Sequence, residues 1–446
     1  MVANVQPNRS ALLKHLRNTL TEAPPFCSGT LQLPRENFEF YYGKKQTRYI
    51  DFVEAAQDPS SVGDLQRACE AAPFGRNEET VLDETYRKAD KMDAGDFVMR
   101  FDVERSGLID VVRQGLLTES EERKGVRAEL YKLNVYGHGA FFKPHLDTPR
   151  SEDMFGSLVV VLLTPQQGGD LILRHEEKEW TFRSDQLLAG QSDRIAFVVF
   201  FSDVEHEVMP VLSGHRVTLT YNLHFEPDDV KRPHAYRLSL LEPRHANAGA
   251  IKDALLAYLS NPEVLTNGGT LGFGLRHVYP VSKVGGDPMS IVKKGLKGSD
   301  AALYQACNAL GLTPKLRLFL NEEAGSYMFS SMKDLTENTG DSCKYFDRYD
   351  DVDEIHNERL SEDLEAADAS NDSLDYGYGR RSLNGTQSAY VCYDNDACLD
   401  HFYVEVALVA QAKLIHERLA EWGAEVAGDA QDEKVQDSAR KADLSE

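Results

Sequence analysis

Short apolar or alternating runs, each bounded by turn residues, fill the middle of the chain. They lie at Tyr131–Tyr136, Leu158–Thr164, Asp170–His175, Lys178–Arg183, Ile195–Ser202, Glu205–Val211 and Arg216–Phe225. Turn residues such as Gly137, Gly139 and Gly214 separate them. Runs of this length and spacing favour an antiparallel sandwich or barrel over a parallel sheet with helices. The uninterrupted run Val159–Leu163 also predicts a strand that is buried on both faces.

The flanking regions have a mixed pattern. Their periodicity predicts helices at Asn8–Leu20, Gly63–Ala72, Leu82–Met92, Val103–Leu117, Glu119–Glu129, Gly249–Leu259, Asp300–Leu310 and Val404–Trp422, and strands at Thr270–Tyr279 and Lys315–Leu320. Asp347–Asp375 is rich in acidic residues and poor in large apolar ones, which predicts a mobile acidic loop. The polar composition of Ala427–Glu446 predicts a disordered tail.

Composition narrows the partners and the location that we expect. With 49 basic and 72 acidic residues the formal net charge is −23, which would repel a phosphate backbone, so nucleic acid is not an expected partner. No apolar run approaches the roughly 18 residues of a membrane span, and residues 1–20 lack the apolar segment of a secretory signal. The six cysteines form no paired motif, which fits reduced thiols in the cytoplasm or nucleus.

The tripeptide His145-Leu146-Asp147 is the first candidate for metal binding. Positions i and i+2 of an extended chain face the same way, so the imidazole and the carboxylate can reach one ion. His206 is the best third ligand, because it follows the apolar run Ile195–Phe201 and begins the next run. Two histidines and one carboxylate leave three positions of an octahedron open, as in iron(II) oxygenases. An HxD tripeptide alone is a weak signal, since such histidines can equally cap strands or satisfy core polar groups.

Arg216 adds a candidate site for a co-substrate. It lies ten residues beyond His206 and begins the strand after the Ser213-Gly214 turn. Since a five-residue strand spans about 17 Å, Arg216 is expected toward the far end of the barrel, within reach of an elongated dicarboxylate bound at the metal. A guanidinium forms two parallel hydrogen bonds with a carboxylate, here the distal one of 2-oxoglutarate. The alternative is a surface arginine, and the alternation of its strand alone does not decide its direction.

The spacing of residues around these ligands follows the motifs of one family. Steps of three, three, three and two separate Tyr136, Gly139, Phe142, His145 and Asp147. A basic residue follows the distal histidine by ten positions, and Gly168-Gly169-Asp170-Leu171 forms a glycine-rich turn before a strand. Over roughly Tyr131–Phe225 the chain therefore resembles the prolyl 4-hydroxylase-like members of the 2-oxoglutarate- and Fe(II)-dependent dioxygenase superfamily.

This resemblance has consequences for fold, cofactors and reaction. It implies a double-stranded β-helix, or jelly-roll, in which His145, Asp147 and His206 bind Fe(II) at the open mouth and Arg216 binds 2-oxoglutarate. It implies that Tyr136 donates a hydrogen bond to 2-oxoglutarate, although a buried core aromatic is an equal alternative for Tyr136. The reaction implied is hydroxylation of an unactivated C–H bond, with succinate and CO2 as co-products and ascorbate as the reductant of the iron.

We therefore expect an α+β protein with a jelly-roll core flanked by N-terminal helices and followed by a mixed α/β region. A chain of 446 residues is too long for one simple core. The expected regions are an N-terminal helical and loop support region at 1–99, the dioxygenase jelly-roll at 100–228, a mixed α/β region at 229–426 with the acidic loop 347–375, and the tail at 427–446.

The substrate is left open by the sequence. A prolyl residue of a protein is the first expectation, and a small molecule acted on by an oxygenase of the same fold is the second. A non-catalytic jelly-roll binding module and a zinc-dependent or cupin-like enzyme without co-substrate are the remaining alternatives. The presence of all three candidate ligands together with Arg216 argues against the binding module.

Overall fold

The computed structural model of the protein describes residues 8–76, 79–117, 125–226, 238–240, 248–282, 288–322, 325–329, 352–355, 392–393 and 401–422. Helices α1 to α8 are Arg9–Leu20, Phe52–Ala55, Ser60–Ala68, Leu108–Leu116, Ser184–Leu188, Ala248–Leu259, Pro288–Lys294 and Gly298–Ala309. Short 3-10 helices lie at Arg35–Phe38 and Ala94–Asp96. Residues 415–422 are also helical.

The strands fall into three groups along the chain. Strands β1 to β9 are Phe26–Gln32, Glu39–Tyr42, Arg48–Asp51, Glu70–Ala71, Phe74–Arg76, Glu79–Val81, Arg87–Lys88, Asp90–Asp93 and Phe97–Met99. Strands β10 to β19 are Gly125–Tyr136, Phe141–His145, Met154–Val161, Gln166–Gly168, Leu171–His175, Lys178–Phe182, Arg194–Phe201, Glu205–Val208, Val211–Gly214 and Arg216–Glu226. Strands β20 to β27 are Leu238–Leu240, Gly269–Gly274, Tyr279–Ser282, Lys315–Glu322, Gly325–Phe329, Val352–Ile355, Cys392–Tyr393 and His401–Ala412.

Two antiparallel sheets enclose the main hydrophobic core. The larger has the order β20-β1-β16-β12-β19-β10-β8-β4 and the smaller the order β15-β14-β17-β11-β7. Leu158 and Phe197 of the larger sheet belong to the same buried cluster as Leu171 and Leu173 of the smaller one. Helix α4 packs against β1, β10 and β16, which explains why β16 is apolar along almost its whole length. The expected α+β architecture with a jelly-roll core is confirmed.

The N-terminal region supplies strands as well as helices to this core. Strand β1 pairs with β16 from Phe26 opposite Phe200 to Gln32 opposite Arg194. Strand β8 pairs with β10, and β7 pairs with β11. The predicted helix Leu82–Met92 is therefore wrong, because these short strands occupy it. The main cluster runs from Cys27 to Leu223 and includes residues on both sides of position 99.

The predicted helix Glu119–Glu129 is also wrong from residue 125 onward. Strand β10 begins at Gly125, which lies opposite Glu226 of β19, while residues 118–124 lie outside the described residues. Pairing with β19 satisfies the backbone of residues 125–129, and local helical propensity is overridden by this partner.

A second hydrophobic core lies in the C-terminal lobe, which consists of the described residues from 248 to 422 and to which α1 is added. Its sheet has the order β21-β27-β23-β24-β25, and β22 also pairs with β27. Helices α6 and α8 pack against each other, and α1 joins them from the start of the chain through Leu16 and Leu20. The predicted helix Val404–Trp422 is wrong over its first half, because residues 401–412 form the central strand β27 and the helix begins at residue 415.

Several expectations fall on residues that the structure does not describe. The predicted acidic loop 347–375 lies outside the described residues except for β25, which pairs with β24. The predicted tail 427–446 also lies outside them. The boundaries after residues 228 and 426 also fall there and stay predictions. Among the described helices, none combines the length and the apolar character that a membrane crossing requires.

Candidate metal and co-substrate site

His145 and His206 face each other across two antiparallel strands of the smaller sheet. Strand β11 ends at His145, strand β17 contains His206, and the two residues are direct partners in the register. On its other side His206 lies opposite Leu173 of β14. The two imidazole centroids are 4.2 Å apart. Strand pairing thus brings together two histidines that are far apart in the sequence.

Backbone carbonyls orient both imidazoles. The Nδ1 of His145 lies 2.7 Å from the carbonyl oxygen of Lys143, and the Nδ1 of His206 lies 3.0 Å from that of Val204. Because a carbonyl can only accept, each Nδ1 carries the proton and donates it, which leaves the lone pair of each Nε2 available to a metal. His206 Nε2 lies 3.7 Å from Asp147 Oδ1. The three predicted ligands are therefore gathered at one place, and all three are buried.

A serine on β12 fixes the carboxylate of Asp147. The hydroxyl of Ser157 donates to Asp147 Oδ2 at 2.5 Å, and the other oxygen is the one nearest His206. Holding one oxygen in this way fixes the direction of the other. We did not predict Ser157 from the sequence, although it is a lone polar side chain in a strand that is otherwise almost entirely apolar.

Aromatic rings wall the histidine pair. Phe142 stacks on His145 with centroids 3.5 Å apart, and Phe200 lies 4.6 Å from the ring of His206. The guanidinium of Arg87 packs on Phe142, with its Cζ 4.3 Å from the ring centroid. Such a wall restricts the rotation of the imidazoles and limits the access of water.

Arg216 points into the barrel and not to the surface. It begins β19 opposite Tyr136, and its Cζ lies 5.6 Å from the Tyr136 ring centroid. The polar residues on the same face of the strand, Thr218 and Thr220, are buried as well. Asn134 of β10 donates to Thr220 Oγ1 at 3.2 Å. The direction of the Arg216 side chain, which the sequence left open, is therefore decided. Arg216 is a buried residue and not a surface arginine.

The guanidinium of Arg216 has donors that the described residues do not use. The side chain is 1% exposed, and neither Nε nor Nη2 has a hydrogen-bond partner among the described residues. Burial lowers the pKa of this guanidinium, against the opposing influence of Tyr136 and Asp170. Gly169, at φ +72°, makes room beside it, since a Cβ there would lie 3.0 Å from Arg216 Cδ. A buried cation with unused donors suits a carboxylate ligand.

Comparison with known families decides how this site is classified. Residues 131–224 match the model of the 2OG-Fe(II) oxygenase superfamily. These residues form a 2OG-Fe(II) oxygenase domain. The protein is accordingly an oxidoreductase of the dioxygenase class, and the family implies Fe(II) and 2-oxoglutarate. The residues of this oxygenase domain fit both groups, because the two imidazoles and a carboxylate suit Fe(II) and the unused donors of Arg216 suit an acid.

Three solved structures similar to the chain are also oxygenases. The prolyl-4-hydroxylase of Pseudomonas putida shares 22% identity with a TM-score of 0.28, over 48% of this chain and 98% of that one. A 2OG-Fe(II) oxygenase family oxidoreductase of Burkholderia pseudomallei shares 15% with a TM-score of 0.27, over 50% and 96%. A Trichoplax adhaerens prolyl hydroxylase, solved with a hypoxia inducible factor peptide fragment, shares 18% with a TM-score of 0.27, over 50% and 93%. A comparison with curated proteins gave no significant match.

A second group of ligand-type side chains lies outside the predicted triad. His175, Asp203 and His277 are buried, and their potential ligand atoms lie within 4.8 Å of one another. Lys297 places its Nζ 2.9 Å from Asp203 Oδ1, so a side-chain cation already neutralises this carboxylate. Sequence reasoning did not find this group, because its members come from separate segments of both lobes.

Proposed function

We propose that the protein is an Fe(II)- and 2-oxoglutarate-dependent hydroxylase in which His145, Asp147 and His206 bind the iron and Arg216 binds the co-substrate. The observation that carries this proposal is the combination of a buried His/Asp/His donor group with a buried arginine whose Nε and Nη2 lack partners in the part of the chain that the structure describes. A metal site alone would not need such an arginine, since an unpaired buried guanidinium is costly.

Each of these side chains has a distinct task. The proton on Nδ1 of His145 and of His206 is held by a backbone carbonyl, so both rings keep the tautomer that a metal requires. Asp147 supplies a negative charge whose direction Ser157 fixes. Arg216 neutralises the distal carboxylate of 2-oxoglutarate, and Tyr136 beside it is a second candidate contact. When bound, Fe(II) would allow dioxygen to act as the oxidant: one oxygen atom would enter the substrate C–H bond and the other would enter succinate as 2-oxoglutarate loses CO2, with ascorbate keeping the iron reduced.

For the substrate we propose an unactivated C–H bond, first of all in a prolyl residue of a protein. The support is the spacing of Tyr136, Gly139, Phe142, His145 and Asp147, which resembles the prolyl 4-hydroxylase motif. A net charge of −23 disfavours nucleic acid as a partner and favours basic segments of a protein substrate. A small-molecule substrate is the second candidate, and a binding module without activity is the third.

The test is a succinate-formation assay with Fe(II), ascorbate and 2-oxoglutarate, run without substrate and then with proline-containing peptides and small metabolites. We expect slow succinate formation without substrate and stimulation by one member of the panel. The variants His145→Ala and Asp147→Ala should form no succinate while their circular dichroism spectra match that of the wild type. Undiminished turnover in either variant would remove the iron assignment, and stimulation by metabolites alone would favour the second candidate.

A further inference from the structure

The C-terminal lobe reaches the metal site through one tyrosine. Tyr403 lies on β27 and is completely buried. Its hydroxyl lies 3.1 Å from the carbonyl oxygen of Asp147 and 3.2 Å from that of Ser202. Asp147 is a proposed ligand, and Ser202 belongs to the turn between β16 and β17 that leads to His206. One hydroxyl therefore ties together the two segments that carry the ligands.

The same turn is held by a second contact from the C-terminal lobe. The carboxylate of Asp203 accepts from Lys297 Nζ at 2.9 Å and from the backbone N–H of Val278 at 3.1 Å. His277 Nδ1 lies 3.0 Å from Oδ2, the oxygen that also accepts from Val278. All these partners belong to the C-terminal lobe, and Asp203 itself is 6% exposed. A buried carboxylate with this many donors fixes the turn in one position.

The charges in this second contact are already balanced. The cation of Lys297 sits against Asp203 and also donates to the carbonyl of Val278 at 3.0 Å. Burial lowers the pKa of His277 to about 3, so this ring is neutral at physiological pH. A divalent ion among His175, Asp203 and His277 would add two positive charges next to Lys297 in a buried place, which is unfavourable. The cluster therefore joins the two lobes and is not a second metal site.

We propose that Tyr403 is a positioning residue of the metal site, through which the C-terminal lobe sets the separation of Asp147 and His206. This inference rests on the proposed function of those residues as ligands. Tyr403 touches neither the metal nor the co-substrate in this account. It acts on the backbone at Asp147 and at Ser202, while the Asp203–Lys297 contact holds the far side of the turn. The C-terminal lobe is then a structural part of the oxygenase site and not an independent appendage.

The test compares Tyr403→Phe with Tyr279→Phe in the full-length protein. Tyr279 is also buried in the C-terminal lobe. Its hydroxyl donates to Asp300 at 2.8 Å and accepts from the backbone N–H of Lys297 at 3.4 Å, and among the described residues it has no hydrogen bond to Asp147 or Ser202. The metal-free proteins are titrated with Co²⁺ as the probe, in the absence of 2-oxoglutarate and of turnover, and the visible spectrum of the bound ion is recorded. Thermal unfolding of the metal-free proteins measures the stability that each variant loses.

We expect Tyr403→Phe to weaken Co²⁺ binding by about tenfold or more and to change the visible spectrum at saturation, as removal of groups that orient ligands does. Tyr279→Phe should lose stability to a similar extent, while its Co²⁺ affinity stays within about twofold of the wild type. Equal affinities in the two variants would overturn the inference and leave the proposed function intact. Absence of Co²⁺ binding in the wild type, or undiminished binding in His145→Ala, would instead overturn the proposed function and this inference with it.

Discussion

Replacing Arg216 by Met tests whether this arginine binds a ligand or stabilises the fold. The Nε and Nη2 of Arg216 are buried without a partner among the residues that the structure describes, and each such group costs about 1–3 kcal/mol. The substitution also removes the contact with Tyr136, which is worth about 1 kcal/mol. The free energy of unfolding of the ligand-free protein should therefore be higher by roughly 1–5 kcal/mol.

The affinity for 2-oxoglutarate should change in the opposite direction. Removing one partner of a buried ion pair costs about 3–5 kcal/mol, because the other charge is left buried and unpaired. At 1.4 kcal/mol per factor of ten, this corresponds to a loss of about one hundredfold to several thousandfold. Binding of Co²⁺ should stay near that of the wild type, since the histidine and aspartate ligands are untouched. Urea unfolding and isothermal titration of 2-oxoglutarate into the metal-loaded protein measure the two effects.

Arg418 is the matched control for this experiment. It is equally buried, but its guanidinium donates to the backbone carbonyls of Leu259, Leu265 and Lys413. Arg418→Met should therefore lower the free energy of unfolding by several kcal/mol and leave the 2-oxoglutarate affinity unchanged. If Arg216→Met destabilises the protein as much as Arg418→Met does and binds 2-oxoglutarate normally, Arg216 is a structural residue and the reasoning fails.

Three further predictions concern the surroundings of the site. Ser157→Ala removes the donor to Asp147 and should weaken Co²⁺ binding by about tenfold in a direct titration; an unchanged affinity would show that the hydroxyl does not orient the carboxylate. Gly169→Ala places a methyl group 3.0 Å from Arg216 Cδ at a φ of +72°, so 2-oxoglutarate affinity and thermal stability should both fall, and a normal calorimetric titration would contradict this. Burial lowers the pKa of His277 from 6.5 to about 3. Between these two pH values the unfolded state binds one proton more than the folded state, so the free energy of unfolding falls as the pH drops below 6.5. The free energy of unfolding should fall by about 1.4 kcal/mol per pH unit. Urea unfolding at pH 7 and pH 5 should show a smaller fall in His277→Gln than in the wild type, and an equal fall in both proteins would refute the prediction.

The jelly-roll strands could be predicted from the sequence because their apolar pattern reflects burial on defined faces. Val404–Trp422 could not, since its Ala, Leu, Glu and Gln residues favour a helix locally. Residues 401–412 are a strand because β21, β22 and β23 pair with it, and that pairing depends on distant parts of the chain. The short strands within Leu82–Met92 have the same explanation, because their partners are β10 and β11.

The residues of the candidate site also differ in whether the sequence predicts them. The spacing of His145 and Asp147 is local enough to be recognised, because strand geometry places positions i and i+2 on one face. His206 is distant in the sequence and could be proposed only from its place after an apolar run and from its spacing of ten residues to Arg216. The direction of Arg216 required the register of β19 against β10. Tyr403 was beyond the reach of sequence reasoning, since it contacts Asp147 across 256 positions of the chain. A contact of this kind is created by the docking of the two lobes and leaves no spacing pattern in the sequence.

We propose above all that one site binds Fe(II) and 2-oxoglutarate together. Its four side chains are those of His145, Asp147, His206 and Arg216. The most direct measurement is an anaerobic titration of 2-oxoglutarate into the Fe(II)-loaded protein, followed by the visible absorption that appears when the keto acid chelates the iron. We expect saturation at one equivalent in the wild type, no such absorption in Asp147→Ala, and saturation in Arg216→Met only at concentrations at least about one hundredfold higher. Absence of the absorption in the wild type, or an undiminished signal in Asp147→Ala, would contradict it.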